Sequence, residues 1–331
     1  MSIYIIAEIG INHEGNLRKA INMIAQAKKA GADAVKFQLF NPNTLSSKDS
    51  KKTKEQKKKI RKETLHDMWQ RVKLTEKDLV MLKKFSNKIK IDFFCSIFDF
   101  ESLDIFKRNK INRIKIASSD ITDFPLLKKI SNLNKVIYLS TGMADKEEIN
   151  SAIKILGKNK LILMHCVSLY PCPPEKCNLN RMIELKKRFG VKVGFSDHTI
   201  GVESCISAIA MGASTIEKHF TYDKKAKGAD HEISADFKEL KVIVDFSKRF
   251  ELIKGNGKIT PSNAELKMKK FFRKSIYYKK NINKFAKISK ENIMIRRPHS
   301  GLDPVIYNKV LNKKAKKKLM KNNPVKLSDI S

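Results

Sequence analysis

GFSDHTIGVESCISAIAMGASTIEKHF, residues 194–220, sets one histidine at the end of an apolar run and a second at the end of the next. His198 follows VKVGFS (191–196), and His219 closes on STIEKHF (214–220), with a small-residue helical stretch between them. Short apolar runs separated by a helix read as parallel strands joined by a crossover. Two imidazoles leaving the same ends of neighbouring strands converge on one point. That arrangement suits a borderline divalent metal and leaves positions open for substrate and water. A single histidine at a strand end is usually a hydrogen-bonded structural residue, so the pair carries the argument.

The same rhythm runs through most of the chain. Strands are predicted at 3–10, 32–38, 91–96, 113–118, 136–141, 161–166, 191–196 and 214–220. Most are nearly continuous apolar runs, the signature of parallel strands covered on both faces. Between them, Asn16 is placed as an N-cap ahead of Leu17, Ala20, Ile21 and Ile24, with Gly31 as the stop. Asp145 and Glu148 form a capping box closed by Gly157. Eight β–α units in about 250 residues predict a (β/α)8 TIM barrel. The rival, a doubly wound open sheet, would carry a glycine-rich phosphate turn after its first strand, and EIGINHEGN (8–16) does not fit G-x-G-x-x-G.

Two segments break the rhythm. Residues 41–74 form a lysine-rich insertion far longer than an ordinary βα turn, readable as a lid over the strand ends or as a mobile surface excursion. After Phe250 the alternation stops. The predicted organisation is a barrel domain at 1–253, a polar linker at 254–270 and a small β-rich domain at 271–331.

At 331 residues with 41% hydrophobic content the chain can bury a large core, and no apolar run is long enough to span a membrane. The first residues, MSIYIIAEIGINHEGN, lack the pattern of a signal peptide. Five scattered cysteines (Cys95, Cys166, Cys172, Cys177 and Cys205) form no C-x-x-C pair, which fits a reducing cytoplasm. A net charge of +35 raises the question of a polyanion partner. The lysines are spread throughout, and aromatics do not alternate with the basic runs as a single-strand stacking platform requires, so no nucleic-acid partner is expected.

In a barrel, chemistry gathers at the C-terminal ends of the strands. Read in order, those ends offer Glu8; Lys36 and Gln38; Ser96; Lys115 with Ser118 and Asp120; Ser140 and Thr141; Ser168 and Tyr170; Ser196 with His198; and His219. Two lysines and several hydroxyls in a wet pocket point to an anionic substrate carrying phosphate and carboxylate. Each lysine alone could instead pair with a buried carboxylate. A lysine Schiff-base aldolase is a further reading, and it would need Lys36 or Lys115 to be neutral.

These residues resemble a known family. IAEIGINHEGN, GADAVKFQ, KIASSDI, LSTGM, HCVSLYP, GFSDHT, EKHFT and KGADHEIS occur in the order and spacing of the N-acetylneuraminate (sialic acid) synthases and their legionaminate and pseudaminate relatives. IYYKKNINKFAKISKENIMIRRPHSGLDP looks like their C-terminal antifreeze-like (SAF) domain. The resemblance implies a metal-dependent condensation of phosphoenolpyruvate with N-acetylmannosamine or a related N-acetylated amino sugar, releasing phosphate and forming a 2-keto sugar acid. It implies His198 and His219 as metal ligands, typically for manganese, with magnesium or cobalt as alternatives. Phosphoenolpyruvate contacts fall on Lys36, Ser96, Lys115, Ser118, Ser140, Ser168 and Ser196, and sugar contacts on Gln38, Tyr170 and Asp230. Asp120, Lys115 and Arg297 are the implied catalytic groups, with Arg297 reaching in from the small domain of a swapped homodimer. Three positions depart from the sialic acid synthases, which carry glutamate at Asp120, threonine at Ser96 and asparagine at Ser168. These departures bear on which sugar is used rather than on the reaction class, with sialic acid the first expectation and diacetyllegionaminic acid the second.

Overall fold

In the computed structural model, which describes residues 3–53, 57 and 63–331, eight parallel strands close in sequence order into a barrel. They are β1 (Tyr4–Gly10), β2 (Ala34–Leu39), β3 (Asp92–Ile97), β4 (Arg113–Ile116), β5 (Val136–Ser140), β6 (Leu161–His165), β7 (Lys192–Asp197) and β8 (Thr215–His219). β8 pairs with β1 to complete the ring. Every predicted strand is present, with ends moved by one or two residues, and the open-sheet alternative falls away.

The helices of this unit are α1 (Leu17–Ala30), α2 (Pro42–Leu45), α3 (Leu65–Val72), α4 (Glu76–Lys88), α5 (Phe100–Arg108), α6 (Phe124–Ser131), α7 (Lys146–Leu156), α8 (Asn180–Phe189), α9 (Glu203–Ala210) and α10 (Phe237–Ile253). α1 shows how local chemistry sets the ends. Asn16 Oδ1 accepts from Lys19 N at 3.0 Å, and Gly31 ends the helix at φ 97°, a left-handed conformation that glycine adopts without steric cost. Its buried face is Ala20, Met23, Ile24 and Ala27. Burying Met23 and Ile24 contributes roughly 1.5–3 kcal/mol each. The capping box of α7 is present too, with Glu148 N donating to Asp145 Oδ1 at 2.8 Å and Asp145 N to Glu148 Oε2 at 2.9 Å.

Inside the barrel, the N-terminal end is plugged. Tyr4, Asp92, Arg113 and Tyr138 meet across it, Tyr4 Oη donating to Asp92 at 2.5 Å and Arg113 to Asp92 and Tyr138 at 3.2 Å each. Phe94 stacks on Tyr138 with ring centroids 5.4 Å apart. A packed floor leaves only the C-terminal mouth for chemistry.

The insertion is anchored where it is described, though 54–56 and 58–62 lie outside the described residues. α3 is capped by Thr64 and Asp67 and buries Met68 and Val72 against Ile11 and Phe40. Trp69 meets Phe40 edge-on at 5.2 Å. The approach is so close that a Cβ on Gly15 would lie 2.2 Å from Arg71 O. The C-terminal part of the insertion is therefore a fixed wall rather than a surface excursion.

The chain divides into two compact units, Met1–Gly255 and Asn256–Ser331. The second has its own core, built on Ile276, Tyr278, Ile288, Ile293, Leu319 and Val325, and an antiparallel pair, β9 (Ser275–Tyr278) and β10 (Ile293–Arg296). Part of the expected polar linker is helical: α11 (Asn263–Phe272) starts at a capping box between Ser262 and Glu265. The periodicity is masked there by lysines, which make three of its ten positions basic. A last helix, α12, spans Tyr307–Val310. No helix among the described residues is long and apolar enough to cross a membrane.

Candidate active site

Parallel register assembles the polar ring. Glu8 lies opposite Lys36 on one side and His219 on the other. Gln38 lies opposite Ser96, Ser96 opposite Lys115, and Ser196 opposite Glu217. Because side chains alternate faces, these residues share the interior face above the aromatic floor. They open into a cavity of about 960 Å³ at the C-terminal mouth. Lys36, Gln38, Ser96, Lys115, Ser118, Ser140, Ser168, Tyr170, Ser196, His198, His219 and Asp230 all line it. Thr53, Met68, Trp69, Phe98, Met143 and Leu169 form a largely apolar part of the same wall.

At its centre are two carboxylates and two ammonium groups. Lys36 Nζ lies 2.7 Å from Glu8 Oε2 and 3.8 Å from Glu217 Oε1, and it donates to Ser96 Oγ at 2.9 Å. Lys115 Nζ donates to Glu217 Oε1 at 2.6 Å, and Ser196 Oγ to the same oxygen at 2.9 Å. All four charged side chains are almost fully buried. Burial alone would lower the pKa of Lys36, but the Glu217 and Glu8 carboxylates outweigh it and hold the ammonium above its usual range. Burial would raise Glu217, but Lys115 and then Lys36 hold its carboxyl well below the usual range. Burial pushes Glu8 up, only partly opposed by Lys36. A lysine kept cationic in this way is a poor Schiff-base nucleophile and a good anion anchor.

Hydroxyl groups gather beside this network. Gly142 N donates to Ser118 Oγ at 3.0 Å, and Ser118 Oγ lies 3.1 Å from Cys166 Sγ. A Cβ on Gly142 would sit 2.5 Å from Ser168 Oγ and 2.9 Å from Ser118 Oγ, so only glycine lets the backbone approach them.

The two histidines meet, with ring centroids 5.6 Å apart and Tyr170 packed 4.2 Å from His198. His198 Nδ1 lies 2.8 Å from Val167 O and donates its proton there, leaving Nε2 without one. Burial holds His198 down to about 4. Burial and then His198 hold His219 well below the usual imidazole range, so both rings are neutral. His219 Nδ1 is buried with no hydrogen-bond partner among the described residues, 3.7 Å from Asp230 Oδ2. Two neutral imidazoles, one with an orphaned nitrogen, fit a divalent cation. No group of three or more metal-type ligands occurs among the described residues, so such an ion would need substrate or water to complete its shell.

Asp120, in the turn after β4, is not on the cavity wall. Its Oδ2 is buried without a hydrogen-bond partner, and burial pushes the carboxyl up to about 7, with Asp123 and Asp99 adding to the shift. Arg297 belongs to the second unit, where its guanidinium lies exposed over the Phe272 ring at 5.4 Å.

The Asp120 environment makes a prediction about stability. A carboxyl whose folded pKa is raised is protonated in the folded chain while still ionised in the unfolded one, so its stabilising contribution fades as pH rises through the folded value. Asp120→Asn is therefore expected to gain stability over the parent as pH rises from about 4 to about 7, and to hold a constant advantage above that. Thermal unfolding at pH 5 and pH 8 checks this, and a difference independent of pH would contradict it.

Glu217 was missed as a candidate although it sits at the centre of the site. The available signal was the two-residue period of β8, which sets Glu217 on the same face as His219. Met68 and Trp69 carried no local signal, since only tertiary packing brings them to the mouth.

Residues 23–259 match the model of the NeuB family. An N,N'-diacetyllegionaminic acid synthase from Campylobacter jejuni is 39% identical over 319 residues, covering 95% of this chain and 96% of its own. A pseudaminic acid synthase from Campylobacter jejuni is 35% identical over 331 residues, covering 99% and 96%. The crystal structure of an N-acetylneuraminic acid (sialic acid) synthetase from Leptospira borgpetersenii, in complex with citrate, is 36% identical. It superposes with a TM-score of 0.72 over 81% of this chain and 90% of its own.

Proposed function

This chain belongs to the NeuB family, and as such is an enzyme of the sialic acid synthase type; we propose that it condenses phosphoenolpyruvate with an N-acetylated amino-sugar aldehyde, releasing phosphate. The observation that carries the reading is that Lys36, Lys115 and a set of serine hydroxyls line the same cavity as His198 and His219. In this reading Lys36, Lys115 and the hydroxyls of Ser96, Ser118, Ser140, Ser168 and Ser196 hold the phosphate and carboxylate of phosphoenolpyruvate. Gln38, Tyr170 and Asp230 orient the sugar so that its aldehyde faces C3 of the enol. Protons pass to Glu8 or to Asp120, whose raised pKa values suit them to acid–base work. His198 and His219 would hold a divalent ion, manganese first and magnesium or cobalt as substitutes, supplying Lewis-acid polarisation of the aldehyde oxygen. The second unit is read as an antifreeze-like domain and the working state as a homodimer.

N-acetylmannosamine, giving sialic acid, is the first substrate assignment. A diacetylated, legionaminic-type precursor is the second, supported by the Campylobacter jejuni relative and by the apolar wall of Met68, Trp69, Met143 and Leu169, which suits methyl-bearing substituents. Phosphate release from phosphoenolpyruvate, measured against a panel of such sugars with and without chelator, tests the proposal. No release with any sugar would reject it.

The lysine roles predict a specific kinetic split. Lys115→Ala loses a charge-assisted hydrogen bond to the anion, worth about 1.5–3 kcal/mol. The KM for phosphoenolpyruvate should rise about 10- to 150-fold, with far less effect on that for the sugar. A covalent adduct trapped by borohydride would instead favour the Schiff-base reading.

A further inference from the structure

On the rung between the Ser196/Glu217 pair and the two histidines, the register places Asp197 of β7 opposite Lys218 of β8. Alternation turns this rung away from the cavity, toward the layer between barrel and helices. That layer is largely apolar, yet Lys218 and Asp197 are 1% and 0% exposed and their Nζ and Oδ2 lie 2.8 Å apart. The contacts do not stop at the pair. Lys218 Nζ also donates to Thr199 O, and Asp197 accepts from Thr199 N at 2.9 Å, Thr199 Oγ1 at 3.2 Å and Cys205 Sγ at 3.3 Å.

The consequence is geometric. Asp197 and Thr199 flank His198, and Lys218 immediately precedes His219. One ammonium, carried by the strand that ends in His219, therefore grips the chain on both sides of His198. His198 O, which accepts from Cys172 N at 2.9 Å, and its ring bond to Val167 O fix what remains. As a stabilising device the pair is a poor choice, because a buried ion pair can usually be replaced by apolar residues of similar volume at no loss. What apolar residues cannot do is hold the two strand ends in one spacing.

We infer that Lys218 and Asp197 are positioning residues that set the distance and orientation between His198 and His219; the inference rests on the reading of those histidines as a metal-holding pair. The outer partners of metal-ligating groups commonly tune affinity by 10- to 100-fold. Removing one member alone would strand a buried charge and damage the fold, so the informative variant replaces both.

The experiment is a manganese titration of the full chain, followed by the electron paramagnetic resonance of the free ion. Unfolding midpoints and phosphoenolpyruvate affinity are measured on the same samples. Asp197→Leu/Lys218→Met is expected to unfold close to the parent and to bind phosphoenolpyruvate normally, while binding manganese about 10- to 100-fold more weakly. Parent-like manganese affinity in that variant, with the parent itself binding tightly, overturns this inference and leaves the metal reading standing. Failure of the parent to bind manganese through His198 and His219 overturns both. Should the double variant not fold, Asp197→Asn/Lys218→Met removes both charges and still accepts from Thr199 N. A shift of less than twofold in its manganese affinity would equally reject the positioning role.

Discussion

Alanine in place of Glu217 is expected to cost about 3–5 kcal/mol of folding stability, the usual penalty for breaking a buried ion pair by removing one partner. The parent site balances Glu8 and Glu217 against Lys36 and Lys115 within a few ångströms and almost without solvent. Without Glu217, Lys115 loses its 2.6 Å partner and the cluster carries an uncompensated positive charge. Glu217→Gln, which keeps the shape and a hydrogen-bond acceptor, should cost less. The variant also offers a second reading. Phosphoenolpyruvate would bring back negative charge, so it should raise the unfolding midpoint of Glu217→Ala more than that of the parent, by linkage to binding. Denaturant unfolding with and without phosphoenolpyruvate checks both claims, provided that the barrel transition is followed separately from that of the second unit. An unchanged midpoint would mean that the four charges are not mutually dependent.

Glu217 also marks where sequence reading stops. The barrel was legible because strands buried on both faces are written as runs of isoleucine, valine, leucine and phenylalanine, and the turns between them as caps and glycines. Lys36, Lys115, His198 and His219 were legible because a polar group at the end of an apolar run is conspicuous. Glu217 was less conspicuous, because it stands inside STIEKHF beside Lys218, and only counting two residues back from His219 tells which of the two faces the cavity. The register agrees with that count, pairing Glu217 with Ser196 and Lys218 with Asp197. Met68 and Trp69 were invisible for another reason: their insertion reads as polar, and its anchoring depends on Ile11 and Phe40, distant in sequence. Asp120 was read at the end of its strand, whereas the turn of Ser118–Asp120 leaves it out of the residues that line the cavity. In the second unit, lysines at three of its positions obscured α11, and its capping box was the better signal.

His198→Ala and Arg297→Ala, each expected to be inactive alone, are expected to recover about a quarter of the parent's active sites when unfolded together and refolded as a mixture. The motivation is Arg297 itself. It is an exposed guanidinium in a separately folded unit, with an aromatic ring beneath it and no carboxylate or hydrogen-bond partner among the described residues. Arginine is suited to bidentate recognition of carboxylate or phosphate, and the proposed substrate carries both. If each small unit serves the other chain's barrel, a two-fold dimer makes the exchange reciprocal. Random pairing then puts both variants together in half of the dimers. In each of these, one barrel with intact His198 meets an intact Arg297 and the other barrel has neither, so one site in four overall is complete. If Arg297 serves its own barrel, every site in every dimer lacks one group, and mixing restores nothing. The mixture must be shown to contain mixed dimers, for instance by tagging the two variants differently and isolating the doubly tagged species. Doubly tagged dimers without activity would exclude the exchanged arrangement, whereas activity near half the parent's value in that purified species would support it.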